Sequence, residues 1–344
     1  MISFTRIDAD EMPWEKLSTF NGANIFHTRA WMDLLADFLG AEPVVAAVRS
    51  GDQVMGYFTG LIMKKFGLRL LGSPFRGWNT YFMGFNLMPG VSYREVLQAF
   101  PKFAFKELKC HFLMIVDANL TGGDLKGLSY HARPFKNFAL DLTGSEAELF
   151  ANMKGKSCRR HINRAIKKGV VIEETTDPAF SDEYYAQYRQ VMENQSLAPL
   201  YGLDFVQQMI ARLLPTGNLL LLRAKNREGV CIATSIDLVF NKVAVGWGAA
   251  SWQQHQLLYP NELMTWYEMK RMKGMGVEVL QLADSKKEFK KKFGAYEIQG
   301  YRLMKAANPL LYYLIFAVVS IDERAKLWLR RKPEQKAAAI LQED

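Results

Sequence analysis

Pro43-Val-Val-Ala-Ala-Val-Arg49, the turn Ser50-Gly51-Asp52 and the run Gln53–Met63 read as strand, tight polar turn, strand. The same order returns at Leu219-Leu-Leu-Leu-Arg-Ala224, Asn226-Arg-Glu-Gly229 and Val230–Phe240. Apolar runs bounded by Gly, Asp and Asn are the pattern of paired strands, because these residues accept the backbone angles of tight turns. Each hairpin lies beyond a helical segment. A duplicated α/β unit explains both the echo and the length of 344 residues, which exceeds a typical single core. Two unrelated hairpins are the competing reading.

Outward from the first hairpin, Ile2-Ser-Phe-Thr-Arg-Ile7 reads as a strand, Arg29–Leu39 as a helix and Arg69–Leu71 as a strand. Val91–Leu108 has apolar Val96, Leu97, Phe100, Phe103 and Ala104 at helical spacing, and His111–Val116 is a buried strand. A second round opens at Phe138-Ala-Leu-Asp-Leu142. One helix is predicted over Ala147–Lys168, stopping at Gly169 in the position glycine favours after a helix. Then follow strand Val170–Glu174, helices Asp182–Gln195 and Leu203–Leu214, and the meander Asn218–Ala224, Val230–Phe240, Lys242–Ala250. Helix Leu263–Lys273 and strands Gly276–Leu282 and Glu297–Met304 complete the round. The expected fold class is α/β (α+β), with two tandem domains over 1–140 and 141–308, each a mixed central sheet flanked by helices. A tail covers 309–344.

A net charge of +9 and a pI near 9.3 imply an anionic partner: a phosphate-bearing substrate, RNA or an acidic membrane surface. Cys110, Cys158 and Cys231 are an odd number without a CxxC pair, which argues against a disulfide framework and a zinc site. His27, His111, His131, His161 and His255 show no ligand spacing and read as structural, so no metal is expected. The start, Met1-Ile-Ser-Phe-Thr-Arg-Ile-Asp8, lacks the basic and apolar runs of a signal peptide. No stretch reaches the roughly 18 apolar residues of a spanning helix. A cytoplasmic site of action is the expectation.

Lys154–Lys168 contains seven Lys or Arg and no acid. On a helix, Lys156, Arg160, Arg164 and Lys167 form one stripe, while Ile162, Ala165 and Ile166 can pack inward. A self-repelling stripe is easier to keep when polyphosphate or RNA neutralises it. A solvated helix face is the alternative. Gly155-Lys156-Ser157 mimics the end of a P-loop, but Phe150 stands where the motif needs glycine.

Four stretches together carry a family resemblance: Phe26-His-Thr-Arg-Ala-Trp31, Ser157–Val170, Pro260-Asn-Glu-Leu-Met-Thr-Trp266 and Phe289-Lys-Lys-Lys-Phe-Gly294. In order and spacing they resemble the FemAB acyltransferases of the GNAT superfamily. The resemblance implies two GNAT-like domains and transfer of an acyl or aminoacyl group to an amine, often of a cell-envelope or polysaccharide-type precursor. No cofactor is tightly bound in this reading. The co-substrate is aminoacyl-tRNA or an acyl-thioester such as acyl-CoA. Ser251–Tyr259 lacks the glycine-rich pyrophosphate loop of CoA-binding GNAT enzymes. Arg271-Met-Lys-Gly-Met-Gly276 ends a helix, whereas a phosphate loop must open one. The donor therefore tips toward aminoacyl-tRNA or an atypical thioester.

The likeness places Lys290 at the reacting centre, where an ammonium holds a phosphate or an oxyanion; membership of a solvated lysine run is the alternative. Asp237, on an otherwise apolar strand, and Glu262 are candidate general bases. Lys156, Arg160, Arg164 and Lys167 are donor-binding candidates, joined by Trp247 and Tyr259 as pocket walls or core residues. In the first half, Ser73-Pro-Phe-Arg-Gly-Trp-Asn-Thr80 is an acceptor-surface candidate with Arg76, Trp78 and Asn79, and Arg29 offers a second guanidinium. Pro309–Ile321 with Trp328–Lys332 reads first as a segment packed on its own domain or a second subunit. A peripheral membrane helix over 309–332 at the inner face is the other reading. A catalytically silent RNA- or anion-binding module using the basic helix is the rival function.

Overall fold

The computed structural model describes residues 1–20, 23–282 and 287–313. In chain order the elements begin β1 (Ile2–Ile7), α1 (Arg29–Leu39), β2 (Glu42–Ser50), β3 (Gln53–Lys65), β4 (Leu68–Ser73) and β5 (Gly84–Leu87). Next come α2 (Tyr93–Lys102), β6 (Phe112–Asp117), α3 (Gly122–Leu125), β7 (His131–Asp141), α4 (Glu146–Asn152), α5 (Arg160–Lys167) and β8 (Val171–Glu174). The remainder is α6 (Phe180–Asn194), α7 (Leu203–Leu213), β9 (Leu219–Lys225), β10 (Cys231–Phe240), β11 (Val243–Ser251), α8 (Pro260–Gly274), β12 (Val279–Leu282), α9 (Lys287–Lys291) and β13 (Tyr296–Ala306). The chain divides into two compact units, 1–137 with 298–313 and 138–297.

The sheet of the first unit has the order β1-β2-β3-β4-β6-β13, with β5 added on β3. Its neighbours are antiparallel except β4 and β6. That of the second unit has the order β8-β9-β10-β11-β12-β7, antiparallel except β11 and β12. The succession of strand directions is therefore the same in both. The two echoing hairpins, β2–β3 and β9–β10, are the second and third strands of each sheet. Ser50 pairs with Gln53 across a turn whose Gly51 has φ +59°, the geometry for which glycine is suited in two-residue hairpins. The tandem mixed sheets flanked by helices agree with the expected fold class.

In the first unit α2 covers the sheet through an aromatic core. Phe4, Phe58, Phe85, Phe100 and Phe103 are buried together, with Phe58 and Phe100 ring centroids 4.6 Å apart. In the second, Cys158, Ile162 and Ala165 join Met264, Met269 and Met272 of α8 over Leu220, Leu222 and Leu280. The opposite face of that sheet carries α6 and α7, where Tyr201 and Phe205 pack on Trp247.

Three expectations change. The helix expected over Ala147–Lys168 is two helices, broken where Met153 (ψ 148°) and Lys154 (ψ 119°) are extended. Met153 turns into the core, and the Lys154 N–H donates to the Lys292 carbonyl rather than along a helix. The chain resumes helical form as a wide turn at Gly155–Arg159, whose N–H bonds reach five residues back, before α5. The helix expected over Val91–Leu108 ends its regular part at Lys102, beyond Pro101, and continues as a similar wide turn over Phe103–Glu107. The strand expected at Glu297–Met304 completes the first sheet, pairing Tyr301–Ala306 with Phe112–Asp117.

Candidate functional site

The basic segment builds a surface recess of about 470 Å³ lined by Gly155, Arg159, Arg160, Asn163, Arg164 and Lys167. Ile162 and Ala165 sink into the core, which turns these polar positions outward. A Cβ at Gly155 would lie 2.9 Å from the Arg159 guanidinium, so glycine lets that group lie against the backbone. Arg160, Arg164 and Lys167 of the expected stripe are brought together. Lys156 is not among the lining residues, and Arg159 and Asn163 are additions that spacing from Lys156 does not select.

Beside the recess, α8 begins. Tyr259 adopts φ +58° immediately before it, stacks on His161 with ring centroids 4.2 Å apart, and accepts a 3.4 Å hydrogen bond from Arg164. Glu262 lies in the first turn of α8, where the helix dipole favours a negative charge. Its Oε1 accepts a 2.7 Å hydrogen bond from Lys292 Nζ and lies 3.0 Å from His161 Nδ1. Burial works to raise the Glu262 carboxyl, but the Lys292 ammonium and His161 outweigh it and hold the group below the usual carboxylate range. A carboxylate so committed is a poor proton acceptor and a good anchor. Lys292 also lies 4.0 Å above the Phe289 ring, which fixes its direction. His161 and Lys292 were outside the expected site, since neither shows ligand or triad spacing; the fold alone brings them to Glu262.

The other candidates of this unit are inside it. Asp237 is fully buried in a carboxylate pair with Glu268, and Ser235 Oγ lies 3.4 Å from Asp237 Oδ2. Burial, then the facing Glu268, pushes Asp237 well above its ordinary range, and burial pushes Glu268 up to about 7. Burial and the facing carboxyl thus favour the protonated form of Asp237 within the core. Lys290 is buried, its ammonium 5.4 Å from the centre of the Phe138 ring, not in a solvated run. Trp247 is the extra residue of a bulge: Ile236 pairs with Gly248 and Asp237 with Gly246. Among the described residues the β11–β12 ladder pairs Val243–Gly246 with Val279–Leu282.

In the first unit, Arg29 opens α1 and pairs with Asp10 at 2.5 Å and Asp33 at 3.4 Å. Trp78 is buried against Phe75, Arg76 is exposed beside it, and Asn79 has φ +53°. Trp31 Nε1 donates to Thr80 Oγ1 at 3.0 Å, tying α1 to this loop. Asp117 is the unforeseen group here: burial pushes it up to about 7, against the Asn119 and Phe85 N–H donors. Among the described residues no His, Cys, Asp or Glu cluster is arranged to hold a metal. The peripheral helix expected over 309–332 falls beyond Tyr313 outside the described residues. No helix of the described residues is long and apolar enough to cross a membrane.

A comparison of the sequence with curated proteins returned no match. Residues 154–291 match the acetyltransferase (GNAT) domain family, Acetyltransf_6. The fold is similar to that of FemX, with a TM-score of 0.75 at 14% identity, covering 91% of this chain and 99% of FemX. It is also similar to a conserved protein of unknown function from Bacteroides thetaiotaomicron VPI-5482, with a TM-score of 0.54 at 10% identity, covering 89% and 100% of the two chains. A third likeness is to the C-terminal domain (DUF2156) of a candidate lysylphosphatidylglycerol synthetase from Agrobacterium fabrum, with a TM-score of 0.50 at 10% identity, covering 83% and 90%. Residues 154–291 thus carry the likeness to the GNAT acetyltransferase domain family, and the fold, with its two equivalent sheets, is similar to that of FemX.

Proposed function

We propose that the protein transfers an acyl or aminoacyl group from a phosphate-bearing activated carrier to an amine of a cell-envelope or polysaccharide-type precursor. The second unit takes the donor and the first unit the acceptor. The observation that carries this reading is the recess at Gly155–Lys167, which gathers four cationic side chains inside the GNAT domain. Arg159, Arg160, Arg164 and Lys167 suit a phosphate chain, since guanidinium forks hold phosphate oxygens through paired hydrogen bonds.

The donor favoured is aminoacyl-tRNA rather than acyl-CoA. A CoA diphosphate held in the manner of many GNAT enzymes needs free N–H groups at the start of the helix after the fourth strand. Here Pro260 lacks an N–H, and the Glu262 carboxylate already occupies the positive end of α8. Phosphates are thereby directed to α5. In the transfer step the acceptor nitrogen bonds to the acyl carbon, the C–O bond to the ribose of the carrier breaks, and the nitrogen releases a proton as the carrier oxygen gains one. The buried Lys290 ammonium serves the developing oxyanion or a donor phosphate. Arg76, Trp78, Asn79 and Arg29 serve the acceptor.

The test supplies pools of charged tRNA and of acyl-CoA separately, with amine-bearing envelope precursors, and reads products by mass spectrometry. Acylated product with charged tRNA alone is expected. Product with acyl-CoA alone reassigns the donor. RNA retention with steep salt dependence and no product from either pool makes the chain a binding module and ends the proposal.

A further inference from the structure

We propose that the corner of the second unit at the C-terminal end of α5 docks on anionic phospholipid surfaces. Three segments meet there. Arg227 Nη2, on the β9–β10 turn, donates to the Lys167 carbonyl at 2.9 Å, and Lys168 Nζ donates to the Leu257 carbonyl at 2.7 Å. Gly169 has φ +75°, and a Cβ there would lie 2.4 Å from Arg227 Cγ, so the glycine admits the arginine stem against the helix end. Each segment puts one aliphatic side chain into solvent: Ile166 at 55% exposure, Val230 at 49% and Leu257 at 74%. Segments 164–169, 226–230 and 253–258 carry Arg164, Lys167, Lys168 and Arg227 against one carboxylate, Glu228.

Aliphatic tips ringed by cations fit a lipid interface. The tips enter the boundary between headgroups and acyl chains, while the cations meet the negative surface potential. A phosphodiester backbone would use the cations but gain nothing from Ile166, Val230 and Leu257. An aromatic platform for bases is lacking among these segments, because the Tyr259 ring beside them is taken by His161 and Lys168. This surface shares Arg164 and Lys167 with the recess but adds the aliphatic tips, and it does not depend on which donor the recess takes.

The test is flotation of the full chain with phosphatidylcholine vesicles, with and without phosphatidylglycerol. Binding is expected only with phosphatidylglycerol and is expected to weaken as salt rises. Ile166→Ser combined with Leu257→Ser should lower partitioning by roughly fivefold or more, as side chains that would insert become polar. Arg227→Gln should lower it about fivefold, the effect of one interfacial cation. Turnover of soluble substrates should be unchanged in the Ile166→Ser, Leu257→Ser protein, which separates failure of docking from failure of acyl transfer. Absence of binding to phosphatidylglycerol vesicles overturns the proposal. So does undiminished flotation of the serine variant, which would place the contact elsewhere in the chain. Loss of tRNA retention in the serine variant, without vesicle binding by the parent, would identify nucleic acid as the occupant instead.

Discussion

The two units share a succession of six strands and differ in the loop that follows the fourth, β4 in the first and β11 in the second. In the first, the loop after β4 folds back: Phe75 and Trp78 lie so close over Gly72 that a Cβ there would meet Phe75 at 2.3 Å. Phe75 stacks on Phe112 of the neighbouring β6, and the chain then returns as β5 on β3. In the second unit the equivalent connection is the short helical turn Gln253–Leu258, which leads into α8. The second unit also has the basic segment between β7 and β8, with His161 and Lys292 converging on Glu262. One scaffold thus appears once with aromatic rings packed at that strand end and once with a cationic recess. Function resides in what is grafted on the scaffold, not in the strand order.

The sharpest way to break this contrast is to remove cations from each unit. Arg160→Ala with Arg164→Ala should lower kcat/KM for the donor by about 10²–10⁴, since two charge-assisted contacts at about 1.5–3 kcal/mol each are lost. Arg76→Ala should instead raise the acceptor KM by roughly tenfold and leave the donor KM unchanged, as one such contact implies. Steady-state kinetics with each substrate varied in turn reads both. Donor kinetics indifferent to the paired substitution would remove the recess from the mechanism.

Lys292→Met should come next. It leaves the Glu262 carboxylate, 12% exposed, without its 2.7 Å partner. Loss of one member of a mostly buried pair costs about 3–5 kcal/mol, visible as a lower denaturant midpoint. The cost should shrink when Glu262→Gln is added, because the stranded charge is then gone.

The buried carboxyls predict a pH dependence common to both units. Asp117 and Glu268 each keep a proton up to about 7 in the folded protein. The unfolded chain releases those protons at the ordinary values of 3.8 and 4.5. Their contribution is therefore fully present below those values and is lost as pH rises through about 7, so stability falls across that window. Asp117→Asn and Glu268→Gln should each flatten the fall, followed by urea unfolding across that range. Glu262, held low, acts in the opposite sense: its contribution is present above the ordinary carboxylate range and is lost as pH falls through its depressed folded value.

The smallest expected effect is Gly72→Ala, which forces Phe75 and Trp78 to shift. A cost of about 1–3 kcal/mol, typical of overpacking, should appear in the unfolding midpoint with donor kinetics intact. Donor kinetics that worsen in step with stability would blur the division between a packed loop and a binding recess.

How much of this was legible depended on the range of the signal. Strand-turn-strand order at Pro43–Met63 and Leu219–Phe240 is local, and the hairpins stand where they were expected. The helix start at Arg29 and the stop at Gly169 are equally local, set by the Thr28 side chain and by a glycine at φ +75°. Short, fully buried Gly84–Leu87 shows no alternation, because both of its faces are covered, and it was not foreseen. The break at Met153–Lys154 was hidden for a different reason. Its cause is the carbonyl of Lys292, far away along the chain.

By itself the sequence determined the class of fold, the duplication and the basic, outward-facing stripe, because apolar period, turn residues and charge act over a few residues. Only the tertiary structure decided which side chains face one another. It put the last described strand, β13, in the first sheet, buried Lys290, paired Asp237 with Glu268, and brought Lys292 and His161 to Glu262. Pairing across more than a hundred residues, as between His161 and Glu262, has no periodic trace in a chain. It arises when helices and strands close over a common core, and burial then sets the charge of what is enclosed.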